Sequence, residues 1–159
     1  MADAILTSLL YIERDEKYLM LYRNKRKNDI NAGKWIGVGG KFEKDESPEE
    51  CVKREAREET GLTLLRPVFR GIVTFVTDRY PTEYMHLFTC GEFSGTLREC
   101  DEGELAWIEK TRVPSLPLWE GDRIFLSLLS KNAPFFLLKL VYEGDSLVRA
   151  ILNGRELAL

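Results

Sequence analysis

The sequence predicts an α+β protein, a mixed-sheet sandwich. Three observations carry that reading. Strand-like runs lie both before and after the helical segments with no regular βαβ alternation, one helix carries a full set of end signals, and turn residues separate the remaining apolar runs. With 159 residues, 44% of them hydrophobic, the chain can bury a sizeable core and is expected to form one domain over residues 1–159.

Ala4–Ile12 and Tyr18–Tyr22 are apolar runs separated by the polar stretch Glu13–Lys17, which reads as a hairpin. A basic stretch, Arg23–Asn28, follows, and then Gly33-Lys34-Trp35-Ile36-Gly37-Val38-Gly39-Gly40. Its glycines leave no room for a helix and suit a loop or short strand that brings backbone close to a partner. Ser47-Pro48-Glu49-Glu50 starts a helix: Ser47 caps, Pro48 takes the first helical position and Glu50 completes a capping box. The helix is expected to run to about Thr60, with Gly61 as its stop. Strands are expected at Thr63–Val76, Glu83–Phe93 and Leu105–Ile108, rich in Phe, Val, Thr and Tyr. Pro114 and Pro117 mark a loop, Gly121–Ser130 has helical apolar spacing, and Phe135–Tyr142 and Leu147–Leu152 flank the hairpin signal Glu143-Gly144-Asp145.

The formal net charge is −3, from 26 acids and 23 bases. Eight of the acids and four of the bases fall between Glu43 and Glu59, so that segment nets −4 and the rest of the chain +1. This balance supplies no basic field for duplex nucleic acid. Cys51, Cys90 and Cys100 have no metal-type spacing and read as reduced thiols in a reducing compartment. No apolar run approaches the ~18 residues of a membrane span, and the N-terminus lacks the pattern of a signal peptide, so a cytoplasmic location and no membrane partner are expected.

On the acidic helix, at about 100° per residue, Glu55, Glu58 and Glu59 share one face. Like charges at these spacings, near a helix C-terminus, destabilise the helix by a few tenths of a kcal/mol each. Lys53 and Arg57 fall on the opposite face and are not expected to neutralise them. Val52 and Ala56 flank the cluster, which places it at the rim of the core. Carboxylates so placed either take up protons or bind metal, and oxygen ligands suit Mg²⁺, Mn²⁺ or Ca²⁺. Gly39 and Gly40 can bring bare backbone to the same ion or to a phosphate.

The spacing of Gly40, Glu46 and Arg54-Glu55-Ala56-Arg57-Glu58-Glu59-Thr60-Gly61-Leu62 resembles a complete Nudix box, GX5EX7REUXEEXGU. The resemblance implies a Mg²⁺-dependent hydrolase of nucleoside diphosphates linked to another group, built as an α/β/α sandwich around a mixed sheet, with Mn²⁺ as an alternative ion. It implies that Glu55, Glu58 and Glu59 are catalytic metal ligands, joined by the carbonyl of Gly39 or Gly40. The general base would be a glutamate of this set or one further along the chain. Arg54 would orient a glutamate of the box, and Glu46 and Gly61 would be structural.

Outside the box the similarity is to MutT-like enzymes and oxidised-purine nucleoside triphosphatases. Gly33–Lys41 resembles their GRWNGFGGK, which brings Trp35 and Lys41 forward as substrate contacts. Glu102, five residues before Trp107, resembles a further metal ligand, and Arg23 a basic substrate contact. Leu118-Trp119-Glu120-Gly121-Asp122 resembles MWPDD, in which the tryptophan stacks on the base and aspartates read its edge, so Trp119 and Asp122 take those roles. Two positions depart: Ile36 replaces a base-reading asparagine and Gly121 replaces the first aspartate. A lost buried hydrogen-bond partner weakens discrimination between bases. The substrate that the resemblance favours is an oxidised purine nucleoside triphosphate such as 8-oxo-dGTP, cleaved to monophosphate and pyrophosphate. The other readings are a different nucleoside-diphosphate-linked compound (a nucleotide sugar, dinucleotide polyphosphate or RNA 5′ end) or a non-catalytic nucleotide-binding regulator. The intact glutamate set argues against the regulator.

Overall fold

The computed structural model describes residues 3–159. In chain order its elements are β1 (Ala4–Arg14), β2 (Lys17–Arg23), β3 (Trp35–Ile36), β4 (Val38–Lys41), α1 (Pro48–Thr60), β5 (Thr63–Leu64), β6 (Val68–Thr77), β7 (Thr82–Cys90), β8 (Phe93–Ser94), β9 (Gly103–Glu109), a 3₁₀ turn (Val113–Ser115), α2 (Glu120–Ser130), β10 (Phe136–Glu143), β11 (Ser146–Leu152) and β12 (Arg155–Glu156).

The β1–β2 hairpin closes through Asp15 and Glu16, both at positive φ (52° and 59°), the geometry that matches a two-residue turn to the twist of its strands. Helix α1 begins as expected: the Ser47 side chain accepts from the Glu50 amide and the Glu50 carboxylate from the Ser47 amide. Gly61 ends it at φ 80°, its amide donating to Arg57 O. The expected strand 63–76 divides, because Pro67 has no amide to donate, and β6 starts only at Val68. The expected strand 83–93 likewise ends at Cys90, and Phe93–Ser94 pairs instead with β5.

The main sheet runs β12-β11-β10-β6-β7-β1-β2-β3, with β4 also paired to β1 and β9 to β2. It is mixed, since β1–β7 and β10–β6 are parallel while the other pairs are antiparallel. Both faces of its middle are covered. Leu9 and Tyr11 of β1 face one core with Phe75, Leu138 and Phe125 of α2; Leu10 and Ile12 face the other with Val52 and Ala56 of α1. A strand buried on both sides reads as a continuous apolar run rather than an alternation, as the β1 sequence does. The outcome is the helix–sheet–helix sandwich around a mixed sheet that the motif implied.

Candidate active site

A cavity of about 730 Å³ opens between the α1 end of the sheet and the N-terminus of α2. Its polar end is lined by Gly39, Gly40, Lys41, Arg54, Glu55, Glu58, Arg23, Arg26, Lys27 and Glu102. Its apolar end is lined by Leu9, Ile36, Phe75, Met85 and Trp119, with Thr7, Glu83 and Asp122 among them. Most residues singled out from sequence therefore meet in one place. Glu59 lies buried just behind the lining, and Trp35 does not border the cavity either: its ring packs 5.1 Å from Tyr22 and its amide donates to Pro117 O at 2.9 Å.

The carboxylates of α1 differ sharply in environment. Glu59 is buried, 7% exposed, and its Oε2 accepts from the Gly39 amide at 3.1 Å. No cation pairs with it among the described residues, and burial, with Glu102 alongside, holds its carboxyl well above the usual carboxylate range. Glu55 is half-buried and shifted upward by burial. Glu58 is exposed at the cavity mouth.

The cluster has a cationic neighbour in Arg54, the residue that the motif implied would orient a glutamate of the box. Arg54 donates to Glu55 Oε1 at 2.8 Å and to Glu58 Oε2 at 3.0 Å through Nη1. It also grips Glu46 with two bonds, Nε to Oε2 at 2.7 Å and Nη2 to Oε1 at 2.9 Å, and reaches Lys41 O. Glu46 is thereby held at about 2. Glu58 lies one turn on from Arg54, so that pair follows from helical spacing, and the reach of the guanidinium adds Glu55 and Glu46. Lys53 pairs with Glu49 instead, as the wheel implies.

Across the cavity Glu102 is held by two arginines, Arg23 to Oε2 and Arg26 to Oε1, each at 3.0 Å. Buried Arg23 also binds Asp29 at 2.7 Å, so it organises this wall from within, and Asp29 is a structural partner that sequence reading missed. Among the described residues no three acidic, His or Cys side chains converge as a ready-made metal cage. The donor set still fits a hard divalent ion that keeps waters and substrate oxygens in its shell, because Glu59 is a buried carboxylate with no counter-charge. Gly40 gives a second indication. A Cβ there would lie 2.6 Å from the Glu55 carboxylate, so only glycine admits that carboxylate against the β4 backbone. Since the obstruction is the movable end of a side chain, Gly40→Ala is expected to leave Tm within a few degrees while displacing Glu55 and lowering kcat at least ~10-fold. A variant with parental kcat would show that the cradle is unimportant.

At the apolar end, Trp119 precedes α2 and is almost fully buried, with Phe75 and Tyr142 edge-on to it at 5.4 and 5.1 Å. Its indole N–H donates to Asn31 Oδ1 at 2.8 Å, and Lys34 Nζ lies 4.2 Å from its ring centre. Asp122 is 5% exposed, and its carboxyl is pushed up to about 8, first by burial. Arg123 and Lys34 pull it down and Glu83 pushes it up; the Tyr11 and Tyr142 hydroxyls also face it. The folded value lies above the unfolded one near 3.8, so the native state keeps a proton that the unfolded chain releases. Stability from this source is full below about pH 4 and falls as pH rises toward 8. Asp122→Asn is accordingly expected to equal the parent at acid pH and to exceed it by up to a few kcal/mol at pH 8, measured by urea unfolding at both ends. A pH-independent difference would contradict the buried carboxyl.

Glu83 and Thr7 were not marked from sequence. The available signal was parity: Glu83 lies in β7 in phase with Met85 and Leu87, a charged residue on an otherwise apolar face.

A mixed sheet covered by a helix on each side, with a glutamate-bearing helix and a cleft joining carboxylates to an aromatic wall, defines an α+β sandwich protein with a carboxylate-rich cleft. The NUDIX domain family model matches residues 6–129, and the chain belongs to the Nudix family. It is a Nudix hydrolase, an enzyme of the pyrophosphohydrolase kind. It is 33% identical over 126 residues to a Bacillus subtilis protein described as an uncharacterized Nudix hydrolase, YvcI, covering 76% of each chain. It is 29% identical to the mouse oxidized purine nucleoside triphosphate hydrolase, covering 85% of each. Among solved structures, the MutT protein of Bacillus halodurans superimposes with a TM-score of 0.84 at 27% identity, covering 94% of this chain and 97% of that one.

Proposed function

We propose that the protein cleaves a nucleoside triphosphate to the monophosphate and pyrophosphate by water attack on phosphorus, with oxidised purine nucleotides such as 8-oxo-dGTP as favoured substrates. The observation that carries this reading is the single cavity that joins carboxylates and exposed cations at one end to Trp119, Phe75 and Asp122 at the other, matching a phosphate chain linked to a base. The name of the mouse relative supports the same substrate class.

Glu55, Glu58, Glu59 and Glu102, with the carbonyl of Gly39 or Gly40, would hold Mg²⁺ or Mn²⁺. When bound, the ion would lower the pKa of the attacking water and offset charge on the leaving group. Arg54 holds Glu55 and Glu58 in place. Arg26, Lys27 and Lys41 line the phosphate end as exposed cations, while Arg23 fixes Glu102 and bounds the wall. Trp119 and Phe75 enclose the base, and Asp122 reads its edge. Three buried free cysteines fit a cytoplasmic setting. No helix among the described residues is long and apolar enough to cross a membrane.

The test is kcat/KM with Mg²⁺ over 8-oxo-dGTP, dGTP, dATP, a nucleotide sugar and a dinucleotide polyphosphate. The expected result is fastest cleavage of the oxidised nucleotide, with pyrophosphate as product. An oxidised nucleotide cleaved no better than dGTP would remove the oxidised-purine preference. A nucleotide sugar cleaved far faster would replace the triphosphate reading.

A further inference from the structure

Glu83 takes no part in the chemistry described above, yet it projects from β7 into the apolar end of the cavity that Asp122 borders from α2. It is mostly buried, and the Thr7 hydroxyl donates to its Oε2 at 2.8 Å, which fixes the carboxyl plane and leaves Oε1 without a protein donor. The Asp122 carboxyl, 5% exposed, accepts no hydrogen bond from the described residues. A buried polar group aimed into a cavity without a partner is costly unless a ligand completes it.

The helix position beside Asp122 cannot supply a second acid. A Cβ on Gly121 would lie 2.5 Å from Leu140 Cδ1 and 2.7 Å from the Tyr142 oxygen, and that oxygen already accepts from the Gly121 amide. The acid that shares the apolar end of the cavity with Asp122 comes from the sheet instead, as Glu83 of β7.

We propose that Glu83 and Asp122 together read the pairing edge of the substrate base, and that Glu83 selects a purine whose edge carries two adjacent N–H donors beside a carbonyl, the guanine type. This rests on the cavity's taking a nucleotide, as proposed above. Glu83 and Asp122 border one cavity and the charge of Glu83 raises the Asp122 carboxyl, so ionising both there is costly and the pair holds one proton. Burial raises both acids, but the Thr7 hydroxyl and Lys41 favour charge on Glu83 while the charge of Glu83 favours the proton on Asp122. The pair then offers one donor, from the Asp122 acid, and acceptors on the Glu83 carboxylate. A guanine edge satisfies both, its carbonyl accepting from Asp122 and its two N–H groups donating to Glu83. Adenine and cytosine edges each present one amino group beside a ring-nitrogen acceptor. The protonated Asp122 alone can satisfy such an edge, leaving the Glu83 carboxylate buried and unpaired.

The experiment uses the intact protein, Glu83→Gln and, as a second variant, Thr7→Val, which frees the Glu83 carboxyl from its fixed plane. Calorimetry without metal measures binding of dGMP, dAMP and dCMP, and kcat/KM with Mg²⁺ is measured for the three triphosphates. The parent is expected to bind dGMP at least 10-fold more tightly than the other two. Glu83→Gln should lower that preference at least 10-fold, through KM rather than kcat, and Thr7→Val should lower it by a smaller factor. Equal binding of the three monophosphates by the parent overturns the inference, as does a parental preference kept in either variant. A parent that prefers dGMP but cleaves no triphosphate sustains the base reading and removes the proposed hydrolysis instead.

Discussion

Glu59→Gln is expected to lower kcat/KM on the order of 10²–10³-fold and, in the same molecule, to raise the melting temperature. Both effects come from one circumstance. Glu59 is a carboxyl in a nearly dry setting, anchored by the Gly39 amide and facing Glu55 and Glu102 with no cation of its own. Ionising it there is costly, which lifts its pKa and makes the folded state bind a proton that the unfolded chain releases. Stability from this source is complete below the ordinary glutamate pKa near 4.5 and is lost as pH rises through the lifted value. An amide of the same shape removes the cost but also the charge for which the site is built. The gain in melting temperature should therefore be absent near pH 4 and grow toward pH 8. Calorimetric melting at the two pH values, with initial rates under saturating Mg²⁺, checks both halves. Retention of full activity would remove Glu59 from the catalytic set, and a lower melting temperature at pH 8 would contradict its uncompensated burial.

Arg54→Ala should cost about 2–4 kcal/mol of folding stability and most of the activity. The guanidinium joins Glu46, Glu55, Glu58 and Lys41 O, tying the loop before α1 to the helix and to the end of β4. Truncation leaves three carboxylates facing one another with Glu46 and Glu55 largely covered. The 20% exposure of Arg54 lets solvent screen part of this, which keeps the expected loss at the lower end for a covered pair. Arg54→Lys should restore only a fraction, because a point charge cannot reproduce a planar fork that grips both oxygens of Glu46. Urea unfolding of both variants measures the effect, and an alanine variant as stable as the parent would show that the network is decorative. The rate should fall with the stability, since Glu55 and Glu58 lose the group that orients them.

Much of this site is legible in the chain. The Ser47 capping box, the Gly61 stop and the glutamate face of α1 follow from spacings of three or four residues, and the structure reproduces them. The boundaries that differ have local causes that alternation hides: Pro67 withholds an amide and ends the expected strand early, and Gly91 separates β7 from β8. Trp35, grouped with the substrate contacts by its place in the glycine-rich segment, packs on Tyr22 instead, because β3 pairs with β2 and sets the two residues opposite each other.

The remaining assignments depend on contacts between segments distant in sequence. Glu83 is an unremarkable strand acid until parallel pairing of β7 with β1 sets it beside Thr7, and until α2 brings Asp122 to the same cavity. Gly121 is an absent acid in the sequence, and becomes a forced glycine once Tyr142 and Leu140 of β10 occupy the space beside it. Helix ends, strand runs and the carboxylate face are settled by interactions within about one helical turn, which a linear chain displays directly. Which carboxylate is neutralised, which is left buried and uncompensated, and which acids share a pocket are settled by long-range packing, since charge and desolvation act through space rather than along the chain.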